Sequence, residues 1–422
     1  MPNQSIGGLS FCLYRVQVDL FGSGFRGIRK KCHDFSLGYY SCCGMRLLAV
    51  CVLLVLFMFP VLRSFAQSIQ KTDLSSLDLG VASALNAIRV RTNLPALAGA
   101  IVTSDGVLAD GVVGVRKDGS DIAATIQDDW HLGSDTKAMT ATLIGMLIDQ
   151  GKLHFESTIA DVFPELSTAL PKGFQSVTVE QLLIHQGGLP HDPEGGWRQF
   201  SSQGSLVAQR LASVRAVGDA MLNTNTSTGF NYSNWGYVIL GAIAERVTGA
   251  EWEDLMRDRV FVPLKMEHVG FGGTGTPGEI DQPWPHINGK PLPSNGPSVD
   301  NLPVMAPAGA VHCPIRDWAK FIANELAGLQ DKPSLLSPGT FKRLHTPASG
   351  GSYAGGWICV QRGWARGMAY NHAGSNTMNY AVAWLAPQRD VAFLVCTNEG
   401  NASKPSNDAF ASLRKLYDST KR

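Results

Sequence analysis

Trp130-His131-Leu132-Gly133-Ser134-Asp135-Thr136-Lys137 runs straight into Ala138-Met139-Thr140-Ala141-Thr142-Leu143-Ile144-Gly145-Met146-Leu147-Ile148. Ala138, Met139, Leu143, Met146, Leu147 and Ile148 recur at helical spacing, and Gly151 stands where a helix would stop. The stretch therefore predicts a helix opening at Ser134, with Ser134 and Lys137 three residues apart on one face. A serine hydroxyl is a weak nucleophile until a base takes its proton, and a lysine serves as that base only where burial or cationic neighbours lower its pKa. A helix N-terminus also favours negative charge developing beside it. The same Ser-x-x-Lys spacing recurs at Ser68 with Lys71 and at Ser412 with Lys415, so spacing alone selects nothing. What singles out Ser134 is the Trp-His-Leu-Gly before it and the apolar helix after it.

Upstream, Leu77 to Thr92 has the periodicity of an amphipathic helix. Leu97 to Thr103 and Val107 to Val115 are Val- and Ile-rich runs parted by Ser104-Asp105-Gly106, the pattern of a β-hairpin. Downstream, helices are predicted over Gly236 to Val247, ended by Gly249, and over Pro314 to Leu326, with a Pro/Gly-rich loop region at Thr274 to Pro307. Gly356 to Gln361, Met378 to Leu385 and Val391 to Thr397 read as strands, and Asp408 to Tyr417 as a closing helix. Strands at both ends and helices between them predict an α/β protein of the α+β sandwich kind. Its one antiparallel sheet is built from N- and C-terminal segments and flanked by helices, with a helical region inserted over about residues 135–350.

Two further motifs follow Ser134 in chain order. Tyr232-Ser233-Asn234 is the only Tyr-x-Asn in the sequence and sits on a loop just before a helix. A phenol near a lysine ammonium can have a lowered pKa and shuttle protons, and Asn234 could orient that lysine or hydrogen-bond a substrate amide. Read on its own, the triplet is equally a turn tyrosine with an asparagine N-cap. His372-Ala373-Gly374-Ser375 leads towards the strand at Met378, where an edge could present backbone N–H groups to a substrate carbonyl and Gly374 would permit close approach. His-x-Gly also occurs at His131, His185 and His268, so it carries weight only in conjunction.

The ordered set of Ser-x-x-Lys, Tyr-x-Asn and His-x-Gly resembles the serine β-lactamase and penicillin-binding-protein superfamily. The resemblance extends to His131–Thr142, Val179–Pro190, Phe230–Asn234 and Pro307-Ala308-Gly309-Ala310, which look like segments of class C β-lactamases, D-alanyl-D-alanine carboxypeptidases and related esterases. It covers roughly residues 80–415. It implies Ser134 as acylated nucleophile, Lys137 and Tyr232 as the proton-transfer pair, and Asn234, His372, Gly374 and Ser375 as substrate-binding residues. The N–H groups of Ser134 and Ser375 would form an oxyanion hole. No metal or organic cofactor is implied, and the partner would be a small-molecule or peptide amide or ester, such as a cell-wall peptide or β-lactam. True β-lactamases most often carry Lys-Thr-Gly where this chain has His372-Ala373-Gly374, a departure towards the carboxypeptidase and esterase branches. A catalytically silent peptide-binding protein is the alternative, distinguished by the absence of a covalent adduct.

The chain has 422 residues, of which 44% are hydrophobic and 17% charged, enough to bury a sizeable core. Its formal charge of +1 conceals seven Lys and Arg against two Asp and Glu in residues 1–66, leaving 29 against 33 beyond, which gives no sign of nucleic-acid binding. Leu47 to Leu62 is almost unbroken in its apolarity and is followed by Arg63-Ser64-Phe65-Ala66-Gln67, the pattern of an export signal cleaved after Ala66. Residues 1–66 are thus expected to be an extension and signal peptide, with Met45 as a second candidate start, and residues 67–422 the hydrolase domain of an exported, periplasmic or secreted protein. Membrane contact is expected only if residues 47–62 stay uncleaved as an anchor. Five of the eight cysteines precede residue 52, and Cys313, Cys359 and Cys396 show no metal-binding spacing, which predicts buried thiols. Neither G-x-S-x-G nor H-E-x-x-H occurs. His185 and His191 read as loop-packing residues and Trp130 as core, while Trp197 and Trp235 suit either core or cleft.

Overall fold

The computed structural model describes residues 76–218 and 229–421. The apolar run at 47–62, the expected cleavage after Ala66 and the Ser68/Lys71 pair lie outside them. Among the described residues no helix is long and apolar enough to cross a membrane.

The described residues begin with a helix over residues 76–92, followed by the hairpin Ala96–Thr103 and Gly106–Gly114. Antiparallel pairing aligns Ala98 with Val112 on one side and with Cys396 on the other, so the hairpin joins the C-terminal strands directly. The resulting seven-stranded sheet runs Gly106–Gly114, Ala96–Thr103, Val391–Thr397, Tyr380–Ala386, Gly367–Ser375, Trp357–Arg362 and Tyr353–Ala354. It is the antiparallel sheet of N- and C-terminal segments that the sequence implied. Between those segments lie most of the helices and two small sheets.

Period-two alternation explains why the sheet is covered on both faces. Leu97, Ile101, Phe393 and Val395 turn to one side, where Leu77, Val81, Leu85 and Ile88 of the first helix pack with Leu413 and Tyr417 of the closing helix, Ser403–Ser419. Isolated helices of this length are marginal in water, so burial of those apolar stripes, at roughly 1.5–3 kcal/mol for each fully buried large side chain, is what holds them. Ala98, Ala100, Leu394 and Cys396 turn to the other side and meet the main core, which includes Met139, Leu143 and Ile144 of the Thr136–Asp149 helix and Ile322 of the Ile315–Gly328 helix. Asn234–Thr248 is a third core helix, its end set by Gly249 at φ 75°.

Two expectations need correcting. His372, Gly374 and Ser375 do not enter the strand at Met378; they close a strand of their own, Gly367–Ser375, which pairs with Trp357–Arg362 as far as Asn371 and with Tyr380–Ala386 from Tyr370 onward. Gly-Met-Ala-Tyr-Asn-His-Ala-Gly-Ser lacks a β-branched apolar run, and its strand geometry comes from two neighbours rather than from local preference. Asn234 is not the helix cap either. Ser233 is, its Oγ accepting from Gly236 N–H, which leaves Asn234 as the first helical residue with its side chain free for other work.

Candidate active site

Ser134 lies in a single 3-10 turn, Gly133–Asp135, that feeds the Thr136–Asp149 helix. Lys137 is on the first turn of that helix and completely buried. Its Nζ sits 3.1 Å from Ser134 Oγ, 2.8 Å from Asn234 Oδ1 and 2.7 Å from the Ala308 carbonyl oxygen. Burial lowers the lysine to about 7, outweighing the opposing pull of Asp192 and Asp135. The partner set suits a neutral amine. Two carbonyl oxygens accept its two N–H bonds, and the lone pair is left for the third partner, the Ser134 hydroxyl, which can donate.

Tyr232 packs beside this pair, its ring centroid 4.8 Å from Lys137 Nζ. Burial raises its phenol well above the ordinary value, against a smaller opposing contribution from contact with the Ser134 hydroxyl. The phenol therefore stays protonated, contrary to the lowered pKa the sequence suggested, because desolvation dominates and the negative charges of Asp135 and Asp192 add to it. A buried aromatic box holds the ring: His185 lies 4.4 Å and His372 6.2 Å away, centroid to centroid, and Tyr353 closes the edge at 6.3 Å. His185 Nδ1 accepts from Ser233 N–H. Its role is packing, as read from sequence, but the packing is against the site.

His372 is buried, its Nε2 is 3.1 Å from Tyr353 Oη, and desolvation pushes it down to about 3, so it is neutral. Gly374 and Ser375 then meet the Ser134 turn at van der Waals distance. A Cβ on Gly374 would overlap the Leu132 carbonyl, and one on Gly133, at φ 51°, would overlap Ser375 N. Each glycine is thus required for the two segments to touch. With this contact Ser134, Lys137, Tyr232, Asn234, His372, Gly374 and Ser375 all lie in one contiguous cluster.

Three contributors were not singled out in the sequence. Asp192 Oδ1 accepts from Asn234 Nδ2 at 3.2 Å and from Trp197 Nε1 at 2.9 Å, fixing the amide so that its oxygen faces Lys137. Tyr353 partners His372. Asp135, next to the serine, is buried without a well-aligned hydrogen-bond partner, and desolvation raises its carboxyl well above the usual range despite Lys137 nearby. None carries a motif; each is set by tertiary packing. A groove of about 650 Å³ opens close by, lined by residues including Trp197, Arg198, Asp300 and Leu302.

The Beta-lactamase family model matches residues 81–416. The chain belongs to that family. Membership supports a serine-hydrolase-like function. A relative in Amycolatopsis lactamdurans, penicillin-binding protein 4, is 28% identical over 357 residues, covering 78% of this chain and 87% of its own. A putative D-alanyl-D-alanine carboxypeptidase of Escherichia coli is 29% identical over 156 residues, 36% of this chain and 35% of its own. Among solved structures, a penicillin-binding protein homologue from Pyrococcus abyssi superposes with TM-score 0.65 at 21% identity, over 82% of this chain and 78% of the other, which establishes the shared fold.

Proposed function

We propose that this Beta-lactamase family member is a serine hydrolase that transfers an acyl group from an ester or amide to Ser134 and then to water. The observation that carries the reading is the buried Lys137 Nζ at 3.1 Å from Ser134 Oγ with a pKa lowered to about 7. Neutral Lys137 takes the hydroxyl proton as Oγ bonds to the substrate carbonyl carbon. The N–H groups of Ser134 and Ser375 receive the oxyanion, and Tyr232, kept protonated by burial, gives its proton to the departing alkoxide or amine and regains one from the Lys137 ammonium. Water reverses the sequence, and no cofactor is needed for any step.

The third motif supports an uncharged acyl ester or amide over a β-lactam. His372 is neutral and Ala373 has no hydroxyl, so neither offers a substrate carboxylate what Lys-Thr-Gly would. The name of the Amycolatopsis relative favours a second reading, action on cell-wall peptides. Intact-mass kinetics with a p-nitrophenyl ester, a D-alanyl-D-alanine peptide and a fluorescent penicillin separates them. The ester should give an adduct that decays fastest; a peptide adduct turning over faster would select the carboxypeptidase. No adduct from any of the three would favour a silent binding protein.

A further inference from the structure

Three buried polar residues outside the catalytic set, His131, Asp300 and Asn376, join the two segments that carry the proposed oxyanion-hole N–H groups. His131 is 3% exposed, Asn376 2% and the Asp300 side chain 0%. Gly133 N–H donates to His131 Nδ1 at 3.1 Å. A backbone N–H can only donate, so Nδ1 is unprotonated and the imidazole proton sits on Nε2. That nitrogen lies 2.8 Å from Asp300 Oδ2. Asn376 Nδ2 donates to the other oxygen, Oδ1, also at 2.8 Å. Asn376 Oδ1 in turn accepts from the N–H groups of Met378 and Asn379, at 3.2 and 2.9 Å. Ser375 Oγ donates to the Asn379 carbonyl at 2.8 Å and accepts from Thr377 N–H at 2.9 Å. One chain of hydrogen bonds therefore runs from Gly133, beside the Ser134 N–H, through Asp300 to the turn that fixes Ser375.

The central residue must be a carboxylate. Both of its partners are committed donors, His131 Nε2–H because Nδ1 is occupied and Asn376 Nδ2 because its Oδ1 is occupied. An asparagine at 300 can accept from only one of them. Although burial alone would raise the Asp300 carboxyl, its contacts with His131 and Asn376 hold it below the ordinary value.

We propose that Asp300, with His131 and Asn376, is a positioning unit that sets the separation of the Ser134 and Ser375 N–H groups and so tunes their grip on the tetrahedral oxyanion. It acts on the transition state, because a ground-state carbonyl makes weaker demands on that spacing. The inference rests on the proposed acyl-enzyme reading of Ser134.

The test uses Asp300→Asn, Asp300→Ala and Asn376→Ala in the full chain, with ester turnover and affinity for a phenylboronic acid, which forms a tetrahedral adduct on serine. We expect kcat to fall on the order of 10- to 100-fold, somewhat less than for outright removal of one oxyanion donor. KM should change by no more than about twofold and boronate affinity should fall in parallel with kcat/KM. The Asp300→Ala, Asn376→Ala double variant should lose little more than either single variant, as expected of one unit. Should Asp300→Ala not fold, Asn376→Ala and Asp300→Asn carry the same comparison. Wild-type kcat and boronate affinity in folded Asp300→Asn and Asn376→Ala, with Ser134→Ala inactive, overturn the positioning unit and leave the acyl-enzyme reading intact. Wild-type turnover in Ser134→Ala overturns both.

Discussion

Ser134 with Lys137 and Ser412 with Lys415 have the same spacing, the first pair where a 3-10 turn feeds a helix and the second inside the Ser403–Ser419 helix, and their surroundings differ. Lys137 is enclosed by the Asn234 helix, the Ala308 carbonyl and the aromatic residues around Tyr232. Lys415 is exposed on the Ser403–Ser419 helix, whose buried stripe is Ala409, Leu413 and Tyr417. Water stabilises the charged form of an exposed amine. Burial withdraws that stabilisation, and the lysine falls to about 7. The i, i+3 spacing is common to both pairs, but the 3.1 Å contact of amine and hydroxyl at Ser134 and the lowered lysine pKa there depend on the protein packed around them.

The comparison can be broken most severely at the serines. Ser134→Ala should abolish ester turnover while Ser412→Ala leaves it at the wild-type rate, measured on folded variants; equal losses would mean that surroundings do not decide. At the next level, Lys137→Ala and Tyr232→Phe should each reduce acylation on the order of 10²–10⁴-fold. Because both act in one proton-transfer step, the double variant should fall well short of the product of the single losses. A multiplicative loss in stopped-flow acylation would show two independent roles.

The pH dependence sharpens the same point. Below about 7 Lys137 is an ammonium and cannot accept the serine proton; above it the amine is free. Acylation should therefore rise with pH through an apparent pKa near 7 and level off, and Lys415→Ala should leave the profile in place. A flat profile from pH 5 to 9 would contradict a buried lysine base. The smallest effect is expected at Asp192→Ala, which frees the Asn234 amide to rotate. A loss of about fivefold in kcat matches one hydrogen bond of ~1 kcal/mol.

Much of the fold was legible because its signals are local. The apolar run after Lys137, the Ser104-Asp105-Gly106 turn and the stop at Gly249 each follow from periodicity or turn chemistry, and the structure has the corresponding elements. The strand carrying His372 was not legible, since Gly367–Ser375 is made a strand by partners on either side. The site divides in the same way. Motif residues could be read from order and spacing, but Asp192, Tyr353 and Asp300 could not, because each matters only through a contact with a residue far away in sequence. The raised pKa of Tyr232 also escaped the sequence, as it depends on the aromatic box that surrounds the ring.

Whether burial of Lys137 makes Ser134 the reactive serine is read by peptide mapping of the full-length protein after treatment with a fluorophosphonate at pH 8. At that pH Lys137, lowered to about 7 by burial, is largely neutral. A single phosphonylated serine, Ser134, is expected, with Ser412 unmodified in the same digest. A stoichiometric adduct on Ser412 or any other serine, or no adduct on Ser134, would contradict it.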